Sequence, residues 1–499
     1  MNYISTRLTE MGAKTSAAQA IKTGLAADGG LFMPEKLPSL SSADFDNLAA
    51  KSYPERAADI LSRYLDDYTY EELLADCNEA YSEERFPGGA APVVPITDNI
   101  IALELWHGPT CAFKDMALQI MPRLLSRALK KTGEERRALI LVATSGDTGK
   151  AALEGYRDVP NIDIQVFYPV DGVSRIQKLQ MATQEGNNVD VCAIRGNFDD
   201  AQNGVKSIFS DKKTAQILSD RGYFLSSANS INWGRLAPQI VYYVSAYCDM
   251  VTAGMIKAGE SIDICVPTGN FGNIFAAYLA KLSGLPVNRL ICASNRNNIL
   301  TDFLKTGIYD RNRHFYTTTS PSMDILISSN LERLLYLTAG AKRTADYMKQ
   351  LAEEGRYEID ADVMEKIRAS FTGFFCDEEG TAAAIKETFH RHGYLLDTHT
   401  AVGYHCAKQY QESGEGGRKI LLASTASPYK FAADVLAALT DRKAEDTLNA
   451  PDALHALTGT EIPVPLRGLA ERVLRFDKVV DRLDMLNCVL EFASAGKKA

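Results

Sequence analysis

A lysine and three turns of small polar residues carry the chemistry open to this chain. Lys114 stands near the end of His107-Gly108-Pro109-Thr110-Cys111-Ala112-Phe113-Lys114-Asp115. Partly desolvated, such an amine loses basicity and becomes a nucleophile for carbonyl carbon. Solvated, it is an ordinary lysine opening a helix. Ala143-Thr144-Ser145-Gly146-Asp147-Thr148-Gly149-Lys150 invites comparison with a nucleotide-binding P-loop. That motif needs glycine where Thr144 stands and Ser or Thr where Ala151 stands, so the nucleotide reading fails. What remains is a turn whose free amides can hold an anion such as a carboxylate. In Pro267-Thr268-Gly269-Asn270-Phe271-Gly272-Asn273, two glycines three apart let amides close round a phosphate, with Asn270 and Asn273 as extra donors. A tight turn with no ligand has the same pattern. Ala423-Ser424-Thr425-Ala426-Ser427-Pro428 offers a hydroxyl that either caps a helix or bonds a ring nitrogen lying over a sheet.

Each of these stretches follows an apolar run. Ile100 to Leu105, Ala138 to Ala143, Ile262 to Val266 and Lys419 to Ala423 read as buried strands, as do Ile162 to Tyr168, Val189 to Ile194 and Leu290 to Ala293. Helical patterns stand between them. Met116, Ile120, Leu124 and Ala128 share one face after Lys114, and Ser174 to Met181, Asp199 to Phe209 and Arg235 to Met250 are further pieces. Strands alternating with helices predict parallel crossovers and an α/β fold with both sheet faces covered. Ligands of such sheets lie beyond the carboxyl ends of the strands. All four loops are therefore expected at strand ends of one parallel sheet. A Schiff-base lysine, a phosphate cup, a carboxylate-sized cup and a hydroxyl together fit pyridoxal phosphate.

Residues 1–95 are expected to form a mainly helical N-terminal domain. Ser16 caps a helix stopped by Gly24, a glycine-rich turn runs to Pro34, and Asp44 to Glu84 holds two or three amphipathic helices. Phe86 to Pro92 reads as a linker. Residues 96–445 form the α/β region, with a mostly helical elaboration at about 300–415 in which Leu331 to Leu337 and Asp362 to Phe371 are clearest. Residues 446–499 form a C-terminal helical segment.

At 499 residues, 46% hydrophobic and 23% charged, the chain has the balance of a globular protein with a large core. A net charge of −9 argues against nucleic acid or an anionic membrane as partner, though a local cluster of donors can still take an anion. Nine scattered cysteines with no Cys-x-x-Cys suit reduced thiols, and the N-terminus shows no apolar leader, so a cytoplasmic protein is expected. No apolar run is long enough to span a membrane. His390, His392, His399 and His405 show no metal-ligand spacing and read as surface or core histidines, so no metal is expected.

The chain resembles the longer, fungal and enterobacterial type of threonine synthase, in the tryptophan-synthase-β group (fold type II) of pyridoxal phosphate enzymes. The matches span nearly the whole chain: Tyr3-Ile4-Ser5-Thr6-Arg7, Gly24 to Pro34, the Lys114 loop, Thr144 to Gly149, Asn229-Ser230-Ile231-Asn232-Trp233, Gly269 to Asn273, Ser320-Pro321-Ser322-Met323-Asp324-Ile325, Ser329 to Arg333, and Ser424-Thr425-Ala426. The resemblance implies a three-layer parallel-sheet fold and a covalent link between Lys114 and the cofactor. It implies a phosphate cup of Gly269, Asn270, Phe271, Gly272 and Asn273, with Thr425 at the pyridine nitrogen and Asp147 near the ring hydroxyl. Thr144, Ser145, Gly146 and Thr148 would receive the substrate carboxylate, and Asn229, Ser230 and Arg235 its phosphate. Cys111 and Ala112 receive no role, and Ser427 stands where relatives often have histidine. The implied reaction turns O-phospho-L-homoserine and water into L-threonine and phosphate, the last step of threonine biosynthesis, in a monomer or small homo-oligomer. A phospho-lyase giving 2-oxobutyrate from the same substrate is the alternative.

Overall fold

Two large sheets carry most of the strands, beside two short two-stranded ones. The structure is a computed structural model describing residues 1–7, 14–144, 146–171, 173–442 and 448–495. Its larger sheet has the order Phe371–Phe375, Val287–Ser294, Ile262–Pro267, Ile420–Ser424, Ile100–Glu104 and Val93–Pro95. All its pairs are parallel except the last, which is antiparallel. The smaller sheet runs Val479–Asp481, Val189–Arg195, Ile162–Pro169, Arg137–Ala143 and Tyr223–Ser226, all parallel. The expectation that all four loops leave one sheet is thus corrected. The Lys114, Gly269 and Thr425 loops belong to the larger sheet, and the Thr144 loop to the smaller. Hydrophobic runs report that a strand is buried, not which strand it pairs with. Ile100–Glu104 is buried along its whole length and pairs with Ile420–Ser424, far along the chain.

The helix after Lys114 breaks in two, Asp115–Leu118 and Met121–Lys131. Pro122 explains the break, since it has no N–H to donate back and its ring crowds the carbonyl four residues earlier. The spacing still reports the buried face: Met116, Ile120, Leu124 and Ala128 are all in the core. Likewise Arg235 to Met250 resolves into Trp233–Leu236 and Pro238–Thr252, with Pro238 opening the second helix. The helix read over Asp362 to Phe371 is Ala361–Arg368, and Phe371 instead begins the edge strand of the larger sheet.

In the N-terminal part, Ser42–Ala49, Tyr53–Tyr64 and Tyr70–Ala80 each open with a reciprocal capping box, Ser41 with Asp44, Ser52 with Glu55 and Thr69 with Glu72. Ser16 caps Ala17–Thr23, which ends at Gly24 with φ 75°. Tyr3–Ser5 pairs with Phe32–Pro34. Just beyond, Thr6 and Arg7 donate to Glu332, at 2.6 to 2.8 Å, which ties the N-terminus to the helix Leu331–Ala339. Near the C-terminus, Ala450–Thr458 and Met485–Ala495 are helical, with the strand Val479–Asp481 between them. All nine cysteines are free and buried. Among the described residues no helix is long and apolar enough to cross a membrane.

Candidate active site

Lys114 sits at the start of the helix Asp115–Leu118, on a loop that backbone bonds stitch to its neighbour strand end. Cys111 adopts φ 58°, an uncommon value for a residue with a Cβ. Its carbonyl accepts from Ser427 N at 3.0 Å, Ala112 bridges to Ala426, and Phe113 N donates to Thr425 O at 2.8 Å. The two loop residues left without a role, Cys111 and Ala112, are therefore the seam between the lysine and Thr425. Asp115 closes the loop from inside by accepting Thr110 N at 2.8 Å and Thr110 Oγ1 at 2.7 Å. Burial pushes its carboxyl up to about 6, against the pull of those two bonds.

The Lys114 amine is buried and faces Asp147 across the cleft, 3.7 Å from Oδ2. It donates to Ser322 Oγ at 3.3 Å, and that hydroxyl donates to Asp147 Oδ2 at 3.3 Å. Asp147 opens the helix Asp147–Tyr156 and also takes Lys430 at 2.7 Å and Gln177 Nε2 at 2.9 Å. Burial lowers the Lys114 amine to about 8; Asp147 opposes this, and the positive charges of Lys430 and Arg235 add to it. Burial alone would raise Asp147, but Lys430 and Lys114 outweigh it and hold the carboxyl well below the usual range. Two cations, Lys114 and Lys430, thus flank one carboxylate, and the charge of Arg235 reaches the Lys114 amine, in a chain that is acidic as a whole. The local field suits an anionic ligand.

Gly269 to Asn273 turns from the strand Ile262–Pro267 into the helix Gly272–Leu282. Its carbonyls are tied back: Gly269 O accepts Ser328 Oγ at 2.7 Å, and Asn270 O accepts Asn330 N at 3.1 Å and Nδ2 at 2.9 Å. The first amides of the helix have no intrahelical acceptor and are open to an anion. Phe271 holds φ 61°, a strained value of the kind that collects at ligand sites. A Cβ on Gly269 would lie 2.7 Å from Ser322 O, so only glycine fits under that turn. Asn273 accepts from the hydroxyls of Tyr242 and Tyr243 through Oδ1, while its buried Nδ2 has no partner.

Thr144 is buried, and its hydroxyl accepts Gly146 N at 3.0 Å and Gly149 N at 2.9 Å, so it shapes the turn from within. Gly146 has φ 143°, open to glycine alone, and Thr148 is half-buried in the first helical turn. Ser145 lies outside the described residues. Arg235 is buried; Nη1 donates to Ala228 O at 2.8 Å while Nε has no partner. Burial lowers it to about 10. Asn229 is exposed and Ser230 half-buried, just before the Asn232 cap of Arg235's helix. The structure brings Lys114, Asp147 and Arg235 together; Thr425 and the 269–273 cup join them through the seam and through Ser322.

Lys430, Ser322, Gln177 and His399 were missed as site residues. His399 is a buried histidine, 3% exposed, whose Nε2 accepts Ser322 N at 3.1 Å. The Ser-Pro-Ser-Met-Asp-Ile stretch pointed at Ser322 without a role, whereas nothing local distinguishes Lys430 from a surface lysine.

Family models described as threonine synthase N terminus, pyridoxal-phosphate dependent enzyme, and threonine synthase C-terminal match residues 2–81, 89–425 and 400–487. Threonine synthase from Pseudomonas aeruginosa is 38% identical over 437 residues, 86% of this chain and 89% of that one. Human threonine synthase-like 1 is 40% identical over 475 residues, 93% of this chain; the chain spans 63% of that relative's length. The crystal structure of pyridoxal phosphate-bound threonine synthase from Brucella melitensis superposes with a TM-score of 0.88 at 36% identity, covering 100% of both chains.

Proposed function

Because the chain belongs to the threonine synthase family of pyridoxal-phosphate-dependent enzymes, we propose that it converts O-phospho-L-homoserine and water to L-threonine and phosphate. One observation carries the reading: a buried, weakened amine, Lys114, beside an ionised Asp147 in a cleft rimmed by unpaired donors. The residues fit the cofactor. Asn273 Nδ2 is a buried donor in want of an acceptor, and the glycine-floored turn leaves its amides free for a phosphate. Lys114 would carry the aldehyde, Gly269, Asn270, Phe271, Gly272 and Asn273 the phosphate, and Thr425 the ring nitrogen, with Asp147 near the ring hydroxyl. Bound there, the cofactor supplies a sink for negative charge at the substrate's Cα.

This chain's own residues do the rest. Lys114, freed by the substrate amine, would take the Cα proton and then a Cβ proton, the electrons of that Cβ–H bond forming the Cβ–Cγ double bond as the Cγ–O bond to phosphate breaks. It would then return protons at Cγ and Cα while water adds its hydroxyl at Cβ and gives its own proton to phosphate. An amine near pKa 8 serves both directions close to neutral pH. Asp147, paired with Lys430, stays ionised beside the Lys114 amine. Thr144, Ser145, Gly146 and Thr148 take the substrate carboxylate at a helix start. Arg235, with Asn229 and Ser230, takes the departing phosphate, for which its unpartnered Nε is a ready donor. Buried reduced thiols suit a cytoplasmic enzyme in threonine biosynthesis.

A lyase releasing 2-oxobutyrate from the same substrate is the second reading: the two outcomes differ only in whether water is placed at Cβ, and the relative at 40% identity is named only threonine synthase-like. Incubation with O-phospho-L-homoserine decides between them. Threonine formed one-to-one with phosphate supports the synthase; 2-oxobutyrate in its place supports the lyase; no phosphate release removes both.

A further inference from the structure

The turn Pro321–Met323 places a hydroxyl between the two groups whose pairing would most hinder Lys114. At 3.7 Å, Lys114 Nζ and Asp147 Oδ2 are too far apart for a hydrogen bond, and Ser322 Oγ lies 3.3 Å from each. A direct, charge-assisted bond would hold the lysine as an ammonium, useless as nucleophile or base. The hydroxyl takes the place that bond would occupy.

Ser322 is not free to drift away. Its N–H donates to His399 Nε2 at 3.1 Å, so that nitrogen carries no proton and the ring proton is on Nδ1, directed to Asp397 Oδ1 at 3.1 Å. Asp397 caps the helix Thr398–Glu412 and takes His399 N at 2.8 Å. It also accepts from Thr400 Oγ1, which in turn accepts Thr425 N at 3.2 Å. The same carboxylate therefore steadies the strand end that carries Thr425. The other side of the turn is held by Asn295 Nδ2, which reaches Ser320 Oγ at 3.0 Å and Asp324 Oδ1 at 2.7 Å. His399 also packs on Phe431, ring centroids 4.7 Å apart.

We propose that Ser322 is a further catalytic residue, whose hydroxyl keeps the Lys114 amine off Asp147, and that His399 and Asp397 are its positioning residues. The inference rests on Lys114 being the reacting amine. Around Lys114 the charged groups are Asp147 from its helix, Lys430 from the turn after the Thr425 loop, and Arg235. In Ser322→Ala the amine moves onto Asp147, and opposite charge in contact favours the ammonium.

The test follows the amine itself and needs no substrate. The full chain is stripped of cofactor, mixed with pyridoxal phosphate, and the rate of attachment to Lys114 is read by visible absorbance against pH. Ser322→Ala should move the midpoint of that profile up by about one pH unit and slow attachment at pH 7 about tenfold. Ser322→Thr, which keeps the hydroxyl, should restore the wild-type profile, and His399→Asn should move it the same way as Ser322→Ala. An unmoved midpoint in Ser322→Ala, or an equal shift in Ser322→Thr, overturns the proposal. Borohydride trapping with peptide mapping runs beside it, and a tag away from Lys114 sinks the assignment of the lysine instead.

Discussion

On the side of the larger sheet, the cleft is held by main chain. Phe113 N donates to Thr425 O, Ala112 bridges Ala426, and Asn330 N closes on Asn270 O. Between the lysine loop and the smaller sheet, the links are side chains: the Ser322 hydroxyl, the Lys430 amine and the Gln177 amide all meet at Asp147. Main-chain bonds between strand ends fix positions to the accuracy of the sheet, as a covalently carried cofactor requires. Side-chain links to a single carboxylate can lengthen or exchange partners without unpicking a strand. The half read as anchoring the cofactor is thus built stiff, and the half read as receiving substrate is built to adjust.

The largest break is at the lysine. Lys114→Ala should remove the visible absorbance of attached cofactor and lower threonine formation by about 10⁴-fold or more, measured as phosphate release. Secondary structure should be untouched, because the seam at Cys111, Ala112 and Phe113 does not use the side chain. Activity without attachment would detach chemistry from the stiff half.

Next comes the pair that sets the adjustable half. Lys430 is 2% exposed and bonds both Asp147 and Thr110 O, the latter at 2.9 Å. Once Lys114 is covalently engaged, Lys430 is the cation left beside that carboxylate. Lys430→Met should cost about 3 kcal/mol of unfolding free energy by urea, since it strands a buried charge. A loss below about 1 kcal/mol would mean that Asp147 finds water or another donor.

The amine itself gives a pH test of the same half. In the cofactor-free chain Lys114 is lowered to about 8 from an ordinary 10.5. Below pH 8 both the folded and the unfolded chain hold the proton, and the folded chain bears the cost of a buried ammonium. Between about 8 and 10.5 the unfolded chain keeps a proton that the folded one has shed, so stability rises with pH there. The difference between wild type and Lys114→Met, which removes the group, should change by up to about 3 kcal/mol in wild type's favour across that window. Parallel curves would mean that the cleft is wetter than its burial implies.

What the chain revealed in advance divides along the same line. The turns after Ile100–Glu104, Ile262–Pro267 and Ile420–Ser424 were legible because strand, glycine or hydroxyl turn, and helix are written within a dozen consecutive residues. The helix breaks at Pro122 and Pro238 were hidden under correct buried faces, since Met116 and Leu124 keep their spacing across the break. Two sheets could not be told from one, because Ile100–Glu104 finds its partner at Ile420–Ser424. Lys430, His399 and Ser322 were illegible for the same reason. Each reaches the lysine from hundreds of residues away, and no local pattern marks a polar side chain by what it will meet.

The smallest expected effect tests the stiffness itself. A Cβ at Gly269 would meet Ser322 O at 2.7 Å and Met323 Cα at 3.4 Å, both main-chain atoms, so one wall must give. The Ser322 turn is pinned by His399 and, through Asn295, at Ser320 and Asp324, while Gly269 O is held by Ser328. If both walls are as rigid as their bonds imply, the cup opens by a few tenths of an ångström and its amides lose alignment on the phosphate. Gly269→Ala should then weaken pyridoxal phosphate binding about tenfold, the worth of one or two misaligned charge-assisted bonds. Thermal unfolding of the cofactor-free chain should change little, because nothing of the larger sheet's pairing depends on that atom. Unchanged affinity would show the Pro321–Met323 turn yielding instead, and would place it with the adjustable half rather than the stiff one.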